Sequence, residues 1–139
     1  MREIKFRFWN RIGKSFKYSW RYNITHDGKL LSYDPEMMDY DEEIEFEKTI
    51  IAPQQYTGLK DKNGKEIYEG DILLSVNETK VEFLYLIEFQ QGTFRNPYLY
   101  RRIKDSKVSE VVGRAYNIDL SDKEIIGNIF ENPDLLNNE

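Results

Sequence analysis

Residues 55–73 set two tight reversals close together, and no other stretch constrains the fold of the chain as much. Asn63-Gly64 separates two short segments of mixed polarity, and Gly70-Asp71 launches the apolar run Ile72-Leu73-Leu74. A two-residue type I′ hairpin turn needs positive φ at both central positions, and Asn and Gly reach it at least cost. The stretch therefore predicts a hairpin and then a buried strand. It specifies backbone geometry and carries no evident chemistry.

Period-2 patterning extends this reading along the chain. Ile4, Phe6 and Phe8 alternate with Lys5 and Arg7, and Phe16, Tyr18, Trp20 and Tyr22 alternate with Ser15, Lys17, Ser19 and Arg21. Each run predicts a strand with one buried face. The loop 10–14 between them predicts a hairpin, and Asp27-Gly28 predicts a second turn pairing 23–25 with 29–32. Residues 34–39 lack a strand period and read as an acidic loop, whereas Ile44, Phe46, Lys48 and Ile50 alternate again before Pro53. Val81, Phe83, Tyr85, Ile87 and Phe89 form the cleanest alternation. Leu84 and Leu86 on the opposite face predict a strand partly covered on both sides. Further strands are expected at 93–95 and 98–103, and residues 104–120 are weakly patterned. Ser121 and Glu124 have capping-box spacing, but Ile125, Ile126, Ile129 and Phe130 read as a strand. Residues 132–136 suit one closing helical turn.

Composition agrees with β structure and narrows the chemistry. The 139 residues include 10 Tyr, 8 Phe and 2 Trp, side chains that suit a pleated, half-buried surface. Cysteine is absent, so disulfides and thiolate sites are excluded. No apolar run approaches the roughly 18–20 residues of a membrane span. The charged start is unlike a signal peptide, so the expected address is the cytoplasm, with no membrane partner.

The net charge of −5 conceals two blocks of opposite sign. Residues 1–21 hold seven basic residues against Glu3, and residues 33–47 hold eight acidic residues and no basic one. Such blocks attract each other within a fold or between subunits, or else lie as solvated faces. The run 33–47 could also imitate nucleic acid on a partner protein.

Each chemical reading has a bland competitor. The single histidine, His26, sits beside the expected Asp27-Gly28 turn with no nucleophile elbow to support a catalytic triad. Asp61–Lys65 resembles the start of an EF-hand loop, but Lys65, Glu66 and Ile72 occupy the places needing an oxygen ligand, Gly and Glu. Asp61, Glu66, Glu69 and Asp71 could hold a divalent cation for an enzyme, yet acids flanking turns ordinarily accept local N–H groups. No cofactor or metal is expected. Arg7, Arg11, Lys14, Lys17 and Arg21, interleaved with Phe6, Phe8, Trp9, Phe16, Tyr18 and Trp20, combine cations with stacking rings as single-strand nucleic-acid surfaces do. Arg95, Arg101, Arg102, Lys104 and Lys107, with Tyr98 and Tyr100, make a second such cluster. Against this, most of the rings alternate with the cations, and the acidic chain repels polyanions.

Three segments together resemble the YopX family of phage and prophage proteins. They are 1–10, with Phe6, Phe8 and Trp9; 55–72, with Tyr56, Gly58, Asn63, Gly64, Gly70 and Asp71; and 125–136, with Gly127, Asn128, Asn132 and Pro133. They stand in family order, while residues 11–54 and 74–124 carry no family motif. The resemblance implies a β-rich protein encoded by a temperate phage or prophage of a Gram-positive host. It implies no catalytic residues.

The expected architecture is mainly β: a small SH3-like or similar β-barrel with an N-terminal β extension and a short C-terminal helical turn. It is read as one domain over 1–139, with an N-terminal β layer over 1–54 and a barrel core over 55–136. The expected role is a non-enzymatic protein-interaction module, its expected partners being a second copy or a host or phage protein. Single-stranded nucleic acid is the alternative ligand, and a divalent-metal enzyme the third reading.

Overall fold

A computed structural model describes residues 4–10, 13–18, 22–24, 30–34, 39–43, 53–89, 93–94, 97–102 and 109–136. The chain is mainly β, as its alternating patterns predict, and divides into two units within β6 (Gln54–Lys60). Among the described residues no helix is long and apolar enough to cross a membrane.

In the unit Ile4–Gln55, β1 (Phe6–Asn10) and β2 (Ser15–Tyr18) form the expected antiparallel hairpin, with Trp9 opposite Phe16. Their rings meet edge-on at 5.0 Å, an arrangement that adds to simple burial. The other side of β1 pairs with the start of β6, Arg7 opposite Gln54. The simple alternation fails here. Phe8, Trp9 and Arg7 are all buried while Ile4 is exposed, because β1 is covered on both faces. β3 (Tyr22–Ile24) pairs antiparallel with β4 (Leu30–Asp34), Asn23 opposite Leu31; the expected turn at 27–28 lies outside the described residues. β5 (Asp39–Glu43) then pairs with β4, so part of the acidic run 33–47 is a strand. His26, the loop 35–38 and the expected strand at 44–50 lie outside the described residues.

The unit from Tyr56 onward contains the rest of β6, β7 (Glu66–Tyr68), β8 (Asp71–Val76), β9 (Glu82–Leu86), β10 (Tyr98–Arg102), β11 (Ser109–Arg114) and β12 (Glu124–Asn128). A single 3-10 turn, Pro133–Leu136, follows as the closing helical element. Five strands make an antiparallel sheet ordered β11-β10-β9-β8-β12, curled into a half-barrel. Ile67, Leu73, Tyr85, Ile87, Phe94, Ala115 and Leu120 form its core, with Leu59, Phe83, Leu99, Ile118 and Ile125 packed around them. A fully buried Leu or Ile contributes roughly 1.5–3 kcal/mol. Ile72 and Leu84 are fully buried on the other face, so β8 and β9 are covered on both sides as Leu84 and Leu86 predicted.

β11 arises in the weakly patterned 104–120, where Val112 has no partner on β10 and this bulge breaks the alternation. As expected, the Ser121–Glu124 spacing opens no helix; Ser121 and Asp122 form a turn into the strand β12.

Candidate functional site

The stretch 56–71 is built from three devices that each shape the backbone. In the first, Thr57, Gly58 and Leu59 of β6 face Ile67 alone, a bulge in which Gly58 takes φ +84°. Only glycine enters that region without steric cost. The Thr57 hydroxyl donates to Ile67 O at 2.8 Å and accepts from Leu59 N–H at 3.1 Å, replacing ladder bonds that the bulge removes. Tyr56 and Tyr68 pair across the strands, their centroids 5.4 Å apart.

The second device is the loop Asp61–Lys65, and it corrects the expected two-residue turn. Asp61 N–H donates to Lys65 O and Gly64 N–H to Asp61 O, closing a three-residue loop of Lys62, Asn63 and Gly64. Positive φ within it falls on Gly64 alone, at +81°. This is a type I turn followed by a glycine bulge. The Asp61 side chain selects it, since Oδ1 accepts from Asn63 N–H and Lys65 N–H, both at 2.9 Å. Its other oxygen accepts Ile125 N–H at 3.0 Å, and Lys62 N–H donates to Lys123 O, so the loop is laced to β12. Burial raises the Asp61 pKa, but the N–H groups of Ile125, Lys65 and Asn63 and the Lys65 charge outweigh it. The carboxyl is held below its ordinary value.

The third device is the reversal at Glu69-Gly70. Gly70 takes φ +85° at the position where a type II turn requires it, and an added Cβ would meet Phe130 Cε2 at 3.2 Å. Asp71, buried, accepts Tyr68 N–H on Oδ2 at 2.9 Å. The closing segment docks alongside. Asn128 Oδ1 accepts from Phe130 N–H and Glu131 N–H, and Asn132 Oδ1 accepts Asn128 N–H at 3.3 Å.

Two of the four carboxylates proposed for a cation, Asp61 and Asp71, hold backbone. Asp61 and Asp71 are buried acceptors of N–H groups, and among the described residues no three His, Cys, Asp or Glu side chains converge on a metal position. Gly58 lies in the bulge, Asn63 and Gly64 in the loop, and Gly70 and Asp71 at the reversal, while Tyr56 pairs with Tyr68 just before the bulge.

Arg7 is buried, with its guanidinium 4.0 Å from the Phe16 ring centroid, so that ring is a cover for Arg7 and not a separate stacking platform. Lys14 is exposed at the β1–β2 turn, Lys17 lies on β2 opposite Phe8, and Arg11 and Arg21 lie outside the described residues. In the second cluster Arg102 pairs with Glu82 at 3.0 Å, Arg101 is exposed, and Arg95, Lys104 and Lys107 lie outside the described residues. Arg114 pairs with Glu88 at 3.2 Å and covers Tyr98.

One surface escaped the sequence reading. Val111 and Val112 on β11 are 42% and 54% exposed, and Tyr116 just beyond is 59% exposed. Val-Val beside a glycine was the available signal, concealed by the bulge.

A family model described as YopX protein matches residues 5–137. Two solved structures are similar over nearly the whole chain. Protein EF1440 from Enterococcus faecalis is 22% identical with a TM-score of 0.57, covering 98% of this chain and 99% of its own. Protein yopX from Bacillus subtilis is 19% identical with a TM-score of 0.56, covering 95% and 97%. At these identities the likeness is one of fold. No curated protein matches the chain.

Proposed function

The chain belongs to the YopX family, and from that premise we propose that it is a phage- or prophage-encoded accessory protein acting in the host cytoplasm as a non-enzymatic protein-interaction module. The observation that carries this reading is the use of the motif's polar groups. Asp61, Thr57 and Asp71 bind the protein's own backbone, so the distinctive stretch acts as a scaffold. The exposed apolar side chains of β11 supply a surface of the kind that partners cover. Self-association into a homo-oligomer is part of the proposal, with a host or phage protein as a further partner.

Light scattering over a wide concentration range and affinity capture from host lysate, with and without nuclease, test this reading. Self-association or nuclease-resistant capture supports it. Tight binding to a single-stranded oligonucleotide that weakens steeply with salt would replace it with the nucleic-acid alternative. Calorimetric uptake of magnesium or manganese would replace it with the enzymatic one.

A further inference from the structure

The two edges of the five-stranded sheet are finished differently. Along β12, Ile125 N–H is capped by Asp61 Oδ2 and Asn128 N–H by Asn132 Oδ1. Side-chain acceptors thus occupy places where another strand would bond. β11 ends the sheet on the other side, with β10 as its sole neighbour among the described strands and with Val111 and Val112 exposed. An unfinished apolar edge is a template for strand addition.

We propose that β11 docks on β11 of a second copy of this chain, antiparallel, about a two-fold axis. The proposal deepens the interaction reading above and rests on it. The capped β12 edge blocks head-to-tail addition of β11 to β12, which would otherwise build open filaments, so the edge pairing that remains is the closed, isologous one.

The bulge selects the occupant and the register. Val111 lies opposite Tyr100, Ser109 opposite Arg102 and Arg114 opposite Tyr98, so these three positions share one face of the sheet. Glu110, opposite Arg101, and Gly113, opposite Leu99, share the other. Val112 has no partner on β10 and is exposed like Val111; set on the same face, it makes the alternation read the same in both directions from a point between Val111 and Val112. Paired residues of neighbouring strands must share a face. An unbulged strand would match on one side of that point only. A second copy matches on both, with Val111 opposite Val112, Glu110 opposite Gly113 and Ser109 opposite Arg114.

The test uses the full chain, whose lack of cysteine makes single-cysteine variants clean. Sedimentation of wild type should show an even number of chains. Val112→Lys, a change at an exposed position, should halve the assembly mass or weaken association at least tenfold with an unchanged circular dichroism spectrum. A mixture of Val111→Cys and Val112→Cys should form the mixed disulfide faster than either variant alone forms its own. If Val112→Lys associates like wild type and the mixed disulfide has no advantage, the β11 interface is wrong while the interaction reading stands. Wild type that is monomeric at every concentration overturns the interface and self-association together.

Discussion

The Asp61 carboxylate accepts the N–H of Ile125 at 3.0 Å, joining residues 64 apart in sequence. The same side chain organises its own loop through Asn63 and Lys65. A twin loop at Asn77 has the same local bonds: Asn77 Oδ1 accepts from Thr79 N–H and Val81 N–H, Lys80 N–H donates to Asn77 O, and Asn77 N–H to Val81 O. Asn77 is exposed, and no bond to a distant strand accompanies it among those described. The pair therefore separates the worth of a turn from the worth of a tether.

Asp61→Ala leaves three N–H groups around a buried position without their acceptor, and a hydrogen bond to a charged group contributes roughly 1.5–3 kcal/mol. The expected loss is about 3 kcal/mol by urea denaturation. Asn77→Ala, whose N–H groups can turn to water, should cost about 1 kcal/mol or less.

Acid should act on the same tether. The folded-state pKa of Asp61 is lowered, so its stabilisation is complete above the unfolded-chain value near 3.9 and is lost as pH falls through the folded one. Unfolding free energy measured from pH 7 downward should decline more gently below about pH 4 in Asp61→Asn than in wild type. Between pH 5 and 8 the difference between the two proteins should stay constant.

The left-handed position of each loop gives a reciprocal pair. Gly64 holds φ +81° and Lys80 φ +66°, and this conformation costs a residue with a Cβ about 1–2 kcal/mol. Lys80→Gly should stabilise the protein by about 0.5–1 kcal/mol after the entropy of glycine in the unfolded chain is counted. Gly64→Ala should destabilise it by about 1 kcal/mol, although an added Cβ there meets nothing within 4 Å. Thermal melts of the two variants should move in opposite directions.

The sequence disclosed what depends on local chemistry. The β1–β2 hairpin, the pairing of β3 with β4, the doubly covered β9 and the reversal at Gly70 all follow from period-2 runs and turn residues. It misled where a long-range or irregular feature decided the outcome. Asn63-Gly64 suggested a two-residue turn because the demand of Asp61 for the N–H groups of Asn63 and Lys65 is a three-dimensional fact. Arg7 looked like a surface cation because alternation does not register a guanidinium packed on the Phe16 ring. Asp61 and Asp71 were legible as acids, but not as acceptors already committed to backbone. β11 stayed hidden because its bulge breaks the pattern that identifies a strand.

The last prediction concerns Gly127 in β12, where φ is not the constraint. An added Cβ would lie 2.5 Å from Asn132 Oδ1, 2.8 Å from its Cγ and 2.9 Å from Leu135 Cδ1. The Asn132 oxygen cannot swing away freely, because it accepts Asn128 N–H, and Asn132 N–H in turn donates to Asn128 O. Gly127→Ala must therefore either displace the closing turn or strain β12, at an expected cost of about 1–3 kcal/mol. Asn132→Ala removes the two nearest obstructing atoms, at the expense of one hydrogen bond worth about 1 kcal/mol. If the clash is the cause, the double variant should be more stable than the sum of the single losses predicts, by at least about 1 kcal/mol in a double-mutant cycle. Strict additivity would show that the sensitivity of Gly127 has another origin and that the closing turn is not packed against it.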